Sequence, residues 1–302
     1  MSAPVAILDE NDVRQRLSLR DLIPAVERAL SDLSAGRVVQ PLRTVIPVPD
    51  HRGFLGVMPA YAGVLGTKLV TFFPENRDVH THHAIVVLFR PETGEPLAIM
   101  DGRLITEMRT GAVSAAATRA LARADASVLA ILGSGVQARS HLEALRLVRD
   151  FRDVRVWSPR RAKEFAAEFG VTAAESAEGA VRGADVVVVA TTSKTPVLLG
   201  EWLSPGAHVN AVGASRPDWR ELDDDLLSEA RIFVESREAA SRESGDVIAA
   251  GRIDAEIGEV FAGNARGRVT RDEITLFKSV GVAVEDLAAA DLVYRAAARQ
   301  EG

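Results

Sequence analysis

Hydrophobic positions recur along this chain with two periods, and the change from one to the other marks its organisation. Leu22, Val26, Leu30 and Leu33 fall at helical spacing and predict a helix over 22–33, ended by Gly36. A shorter helix over 13–17 precedes it, and Val5-Ala6-Ile7-Leu8 reads as an opening strand. From residue 43 the pattern turns to strands over 43–48, 53–58, 66–73 and 84–89, punctuated by Pro47, Pro49, Pro74 and Pro91. Leu97-Ala98-Ile99-Met100 adds one more after a Glu92-Thr93-Gly94-Glu95 turn. The first part is expected to be an α+β domain, mostly antiparallel sheet with two flanking helices.

Residues 106–122 read as a helix rich in small side chains (Gly111, Ala112, Ser114, Ala115, Ala116, Ala117), a surface that another backbone can approach closely. From Ser127 strand and helix alternate, with strands over 128–132, 154–157, 186–190, 208–212 and 232–234. That alternation predicts a doubly wound parallel sheet, so the chain as a whole is of the α/β class. A further strand over 274–277 and a last helix over 280–299 close the sequence. The expected division is a first domain over 1–118, completed by the C-terminal helix 280–302, and a second over 119–279.

The second domain opens on an apolar run, Val128-Leu129-Ala130-Ile131-Leu132, that feeds Gly133-Ser134-Gly135-Val136-Gln137-Ala138. Strand, Gly-x-Gly-x-x-Ala turn and helix in this order are what a dinucleotide-binding βαβ unit requires. Gly133 permits the tight turn, Gly135 keeps a Cβ away from a pyrophosphate, and Ala138 lets the helix lie close to the strand. The amides of the first helical turn then face the anion. At the end of the second strand, where an NAD site usually carries Asp or Glu, stand Ser158, Pro159, Arg160 and Arg161. A hydroxyl and two guanidinium groups suit a 2′-phosphate, so NADPH is expected, with NADH possible.

The totals narrow the picture further. In 302 residues there is no cysteine, which excludes disulfides and thiolate chemistry and fits a cytoplasmic protein. No apolar stretch is free of charge for long enough to cross a membrane, and no basic n-region opens the chain. A formal charge of −6, with arginines scattered along the chain, gives no electrostatic case for nucleic acid.

Arg43, Lys68 and Arg109 each sit in apolar company. A buried cation is costly unless an anion neutralises it, whether a substrate carboxylate or a structural Asp or Glu. His80, His82 and His83 lack the convergent ligands that a zinc site needs, so no metal is expected. Asp223-Asp224-Asp225 reads as a solvated helix start.

Several long stretches together carry a family likeness. They are Gln40-Pro41-Leu42-Arg43-Thr44, the run from His51 to Tyr61, Thr67-Lys68-Leu69-Val70-Thr71-Phe72, and Arg109-Thr110 with Ala112-Val113-Ser114-Ala115. Further on come the Gly133–Ala138 turn, Gly206 to Asp223, Glu243-Ser244-Gly245-Asp246-Val247 and Phe277-Lys278-Ser279-Val280-Gly281. On these the chain resembles the ornithine cyclodeaminase/mu-crystallin family along nearly its whole length, and most closely the mu-crystallin branch, NADPH-dependent ketimine reductases. The resemblance implies a substrate and dimerisation domain formed by the first part and the last helix, with a Rossmann domain between, and a homodimer.

By matching motif, the resemblance makes Arg43, Lys68 and Arg109 the ligands of a substrate carboxylate, Lys68 and Arg109 being the catalytic pair. Thr81 and His82 stand beside substrate and cofactor. Ser134, Val136 and Gln137 match the pyrophosphate turn, and Thr191 and Thr192 match the loop after the fourth Rossmann strand. Val212 and Ser215 face the nicotinamide, while Glu243, Lys278 and Ser279 match pocket-edge positions. True cyclodeaminases carry an Asp as general base where this chain has Ser215, and a serine hydroxyl cannot act as a base near neutral pH unaided.

The expected activity is therefore hydride transfer to the C=N bond of a small cyclic ketimine carboxylate, Δ1-pyrroline-2-carboxylate or Δ1-piperideine-2-carboxylate. Glu75 or Glu243 is expected to temper the charge of the three cations. The alternatives are an alanine dehydrogenase, an ornithine cyclodeaminase-like enzyme acting on an amino acid, and a non-catalytic NADPH-dependent protein binding a small ligand of the thyroid-hormone kind.

Overall fold

A computed structural model describes residues 4–299 of the chain. They divide into two units: residues through Arg109 joined by those from Val282 onward, and Thr110–Gly281 between them. The division lies within one helix, at Arg109 instead of 118, because the small-residue half of that helix packs with the second unit. A Cβ on Gly111 would collide with Ser140 of that unit.

The first unit runs β1 (Ala6–Leu8), α1 (Glu10–Arg16), α2 (Leu19–Ser34), β2 (Thr44–Val48), β3 (Gly53–Tyr61), β4 (Leu65–Phe72), β5 (His82–Phe89), β6 (Pro96–Asp101) and α3 (Gly102–Leu121), which crosses into the second unit. Asp9 opens α1 with a capping box to Asp12, and Ser18 caps α2 by accepting from the Asp21 amide. The sheet order is β1-β6-β5-β4-β3-β2, antiparallel apart from the parallel β1–β6 pair.

Alternation fixes its two faces. Met58, Lys68, Val86 and Met100 lie side by side in register on the inner face, and all four are buried. On the other face Leu55, Val57, Leu69, Val87 and Ile99 are only part-buried, while Ile7, Ile46, Tyr61 and Ile85 are exposed.

The second unit comprises β7 (Val128–Leu132), α4 (Val136–Leu145), β8 (Asp153–Trp157), α5 (Ala162–Phe169), β9 (Thr172–Ala173), α6 (Ala177–Val181), β10 (Val186–Val189), β11 (His208–Ala211), α7 (Asp224–Glu229), β12 (Arg231–Val234), α8 (Arg237–Glu243), α9 (Gly245–Ala250), β13 (Ala255–Glu256), α10 (Ile257–Phe261) and β14 (Thr275–Lys278). Its eight strands are all parallel, in the order β13-β12-β14-β11-β10-β7-β8-β9. Helices on both faces explain why its strands are continuous apolar runs such as Val186-Val187-Val188-Val189, every one buried. The strand order reverses direction beside β7. In such sheets that is where ligands bind, at the carboxyl ends of the strands. This is the Rossmann arrangement expected from the sequence.

The chain then returns to the first unit as α11 (Ala283–Ala298). This helix lies against the inner sheet face so closely that a Cβ on Gly66 would stand 2.9 Å from Leu287. Among the described residues no helix is long and apolar enough to cross a membrane.

Candidate active site

Gly66 and Lys68 share the inner face of β4, so the close approach of α11 at Gly66 brings its first turn onto Lys68. Lys68 Nζ stands 2.6 Å from Asp286 Oδ2, and both side chains are buried. Arg109, from α3, donates through Nη1 to Glu285 Oε2 at 2.6 Å and through Nε to Asp286 Oδ1 at 3.2 Å. Glu285 and Asp286 are both wholly buried. Of the two origins the sequence leaves open for the neutralising anion, protein carboxylates are present, and they come from α11. Glu75 is not among them: it pairs with Arg52 at 2.8 Å on the surface. Glu243 ends α8 of the second unit.

The electrostatics of this cluster follow from its burial. Desolvation pushes the Lys68 ammonium down to about 8, against the pull of Asp286 and with the help of the Arg109 and Arg43 charges. Burial works against the charge of Asp286, yet Lys68 and Arg109 beside it outweigh that and hold its pKa below the ordinary carboxylate value. His82, at the start of β5, is driven down to about 4, first by burial and then by Lys68 and Arg109, and so is neutral at pH 7. Arg43, Lys68, Arg109 and His82 are thus brought together, as the sequence suggests. Thr81 is exposed next to them in the chain, its carbonyl accepting from the Phe73 amide at 2.8 Å.

At the carboxyl end of β7, Gly133 has φ +123°, and a Cβ there would collide with the Ala190 carbonyl. Only glycine meets both conditions. Gly135 is the N-cap of α4 with no side chain capping the helix, and a Cβ on it would point into open space. Exposed backbone at an uncapped helix start is a cradle for a phosphate group, so these residues fit a dinucleotide. Ser134 and Val136 flank Gly135, and Gln137 follows in the first turn. The Ser134 hydroxyl shares a hydrogen bond of 2.8 Å with that of Ser158 at the end of β8. Ser158 also accepts from the Arg161 amide at 3.2 Å, which sets the course of the chain through Arg160 and Arg161. Both arginines are exposed and neither makes an ion pair among the described residues.

Thr191 and Thr192 follow β10, Val212 and Ser215 follow β11, and Ser279 follows β14, all at the same end of the sheet. Ser215 is exposed. Lys278 departs from its expected place at a pocket edge. It is wholly buried, with Nζ 3.4 Å from Asp246 Oδ2 and 4.0 Å from Glu221 Oε2, because as the last residue of β14 it faces the interior. Sequence reasoning missed Glu285, Asp286 and Glu221. The signal for the first two is an adjacent acid pair inside an otherwise apolar run, Val280 to Ala290, where solvated acids have no place.

The profile of the ornithine cyclodeaminase/mu-crystallin family matches residues 5–301. The ketimine reductase mu-crystallin of Mus musculus is 50% identical, over 97% of this chain and 98% of that protein. A structure of Δ1-pyrroline-2-carboxylate reductase from Thermococcus litoralis in complex with NADH and L-proline superposes with a TM-score of 0.94 at 39% identity, covering 98% of each chain. An archaeal alanine dehydrogenase dimer with bound NAD gives 0.93 at 36% identity, covering 99% of this chain and 97% of that one. With matching of this extent, the chain belongs to the ornithine cyclodeaminase/mu-crystallin family.

Proposed function

We propose that this protein is an NADPH-dependent reductase of small cyclic ketimine carboxylates, Δ1-pyrroline-2-carboxylate or Δ1-piperideine-2-carboxylate, giving the cyclic amino acid. The observation that carries the reading is the gathering of Arg43, Lys68 and Arg109 at one place in the first unit. Lys68 and Arg109 are buried against Glu285 and Asp286, the charge of the half-buried Arg43 acts on Lys68 and Asp286, and His82 is neutral. A substrate carboxylate would meet this group of cationic donors, beside an imidazole that adds no charge of its own. The two protein carboxylates also make room for a protonated imine, which three uncompensated cations would repel.

Arg109 has its guanidinium plane fixed by Glu285 and Asp286, and Lys68 is fixed by Asp286. The carboxylate therefore meets donors that need no reorganisation on binding. Fixing it also fixes C2, the carbon that accepts hydride. NADPH supplies that hydride. Ser134, Val136 and Gln137 with Gly133 and Gly135 would hold its pyrophosphate, and Ser158, Arg160 and Arg161 its 2′-phosphate. Thr191, Thr192, Val212, Ser215 and Ser279 would line the end of the sheet that receives it. The pyrroline-2-carboxylate reductase and ketimine reductase relatives support the substrate class. An exposed Ser215 where a cyclodeaminase needs a base counts against ring closure with loss of ammonia.

A homodimer joined through the first unit's sheet belongs to the same reading. Leu55, Val57, Leu69, Ile85, Val87 and Ile99 make an apolar face, part-buried or exposed, of the kind a partner surface covers, and the archaeal alanine dehydrogenase is a dimer. Light scattering at micromolar concentration should give twice the 32.3 kDa chain mass. NADPH oxidation followed with each cyclic imine, and with pyruvate plus ammonia, tests the activity. Turnover of the keto acid alone would move the assignment to an alanine dehydrogenase.

A further inference from the structure

Three wholly buried charges in the second unit take no part in the chemistry above. Glu221, Asp246 and Lys278 have no exposed surface, and none of Glu221 Oε2, Asp246 Oδ2 and Lys278 Nζ has a hydrogen-bond partner among the described residues. Burial pushes the Glu221 carboxyl up, against the pull of Lys278. Apolar side chains of similar size would be at least as stable here, so stability alone does not account for the trio.

Its surroundings do. Glu221 Oε1 accepts from both the amide and the hydroxyl of Thr191, at 2.9 and 2.6 Å. The Thr191 hydroxyl oxygen in turn accepts from the Ser193 amide at 3.0 Å. The Glu221 carbonyl accepts from the amides of Val197 and Leu198 at 2.8 and 3.1 Å, so one residue holds both ends of the 191–198 segment. Asp246 Oδ1 fixes Glu221 from behind, accepting from its amide at 3.0 Å and from that of Leu222 at 3.2 Å. A Cβ on Gly213 would overlap the Glu221 carboxylate, which therefore presses against the backbone just past β11. Thr191, Gly213 and Lys278 stand at the carboxyl ends of β10, β11 and β14, which are neighbours in the sheet. Ala190, one residue before Thr191, is the residue whose carbonyl packs on Gly133.

We propose that Glu221, backed by Asp246 and Lys278, is a positioning residue that fixes Thr191 against the glycine turn and so shapes the dinucleotide-binding end of the sheet. The proposal rests on the reading that this unit binds NADPH. Glu221 would not touch the dinucleotide; it acts through Thr191. Lys278 pulls against the rise that burial causes and so favours the charged form, the form that accepts both Thr191 bonds best.

Titration of intrinsic fluorescence with NADPH, without turnover, tests this through a double-mutant cycle. Thr191→Val and Glu221→Gln should each weaken NADPH binding about tenfold or more, and the double variant should be no weaker than the weaker single one. Thr191→Ser, which keeps the hydroxyl, should bind as the wild type does. Losses that add in the double variant, or wild-type affinity in Thr191→Val, would overturn the proposal. Should Glu221→Gln fail to fold by circular dichroism, the contrast between Thr191→Ser and Thr191→Val decides alone. A wild type that binds neither NADPH nor NADH would instead sink the cofactor reading, an outcome separate from both.

Discussion

Each unit buries a cluster of charges, and the two differ in use. In the first unit Lys68 and Arg109 are buried against Glu285 and Asp286, with the charge of Arg43 acting on Lys68 and Asp286. In the second, Glu221 and Asp246 face Lys278, and Arg220 approaches Asp246 to 4.0 Å. Cationic donors gathered beside a neutral His82 suit an incoming carboxylate, which is a property of a binding site. A buried carboxyl pair that accepts four main-chain and hydroxyl hydrogen bonds from Thr191, Glu221 and Leu222 is already occupied, which is a property of a scaffold. Lys68 and Lys278 look alike in sequence, each on an apolar strand. What separates them is how many acids face them.

The largest test of this contrast is Asp286→Ala. It removes the carboxylate shared by two buried cations and should cost about 3–5 kcal/mol of stability, since breaking a buried pair leaves charge uncompensated. Chemical denaturation measures it; a loss under about 1 kcal/mol would mean that the cations find other partners. Next is Lys68→Ala, expected to lower kcat/KM by roughly 30- to 1000-fold, about 2–4 kcal/mol, with NADPH affinity retained. Lys68→Arg should not restore activity, because a planar fork does not fit an ammonium's place. Steady-state kinetics of both variants decide it.

Smaller still is Ser158→Asp, which places a carboxylate where a 2′-phosphate would lie. Wild type should prefer NADPH at least tenfold, about 1.4 kcal/mol, and the variant should move towards NADH. Equal affinities of the wild type for the two cofactors, by calorimetry, would contradict the roles of Arg160 and Arg161. The mildest effect is on pH dependence. Lys68, lowered to about 8, loses its charge as pH rises through that value, so kcat/KM should fall on the alkaline side of about 8. Asp286 opposes that lowering, so Asp286→Asn should shift the alkaline limb to lower pH; an unmoved limb would assign it to another group.

Much of this was legible from the residues. The glycine turn, the order of strands and helices and the three cations follow from local spacing, and local spacing is what a sequence displays. The resemblance of long motifs to a family located the site residues within them. What stayed hidden is non-local. Arg109 and Asp286 are 177 residues apart, and only the approach of α11 over Gly66 brings them together. The same holds for Lys278, whose neighbours Glu221 and Asp246 come from two other segments. The requirement that a buried cation have an anion could have directed a search to the acid pair Glu285-Asp286. Periodicity alone reads that pair as an ordinary helix start.

The central claim is that the Arg43, Lys68 and Arg109 cluster of the first unit holds a substrate carboxylate. Its most direct test compares kcat/KM for Δ1-piperideine-2-carboxylate with that for the same cyclic imine lacking the carboxylate, in the wild type and in Arg109→Ala. The wild type should strongly prefer the carboxylate. Arg109→Ala should lose roughly 30- to 1000-fold on the carboxylate while changing little on the neutral imine. If the wild type reduces both imines equally fast, the cluster is structural and the carboxylate is not what it binds.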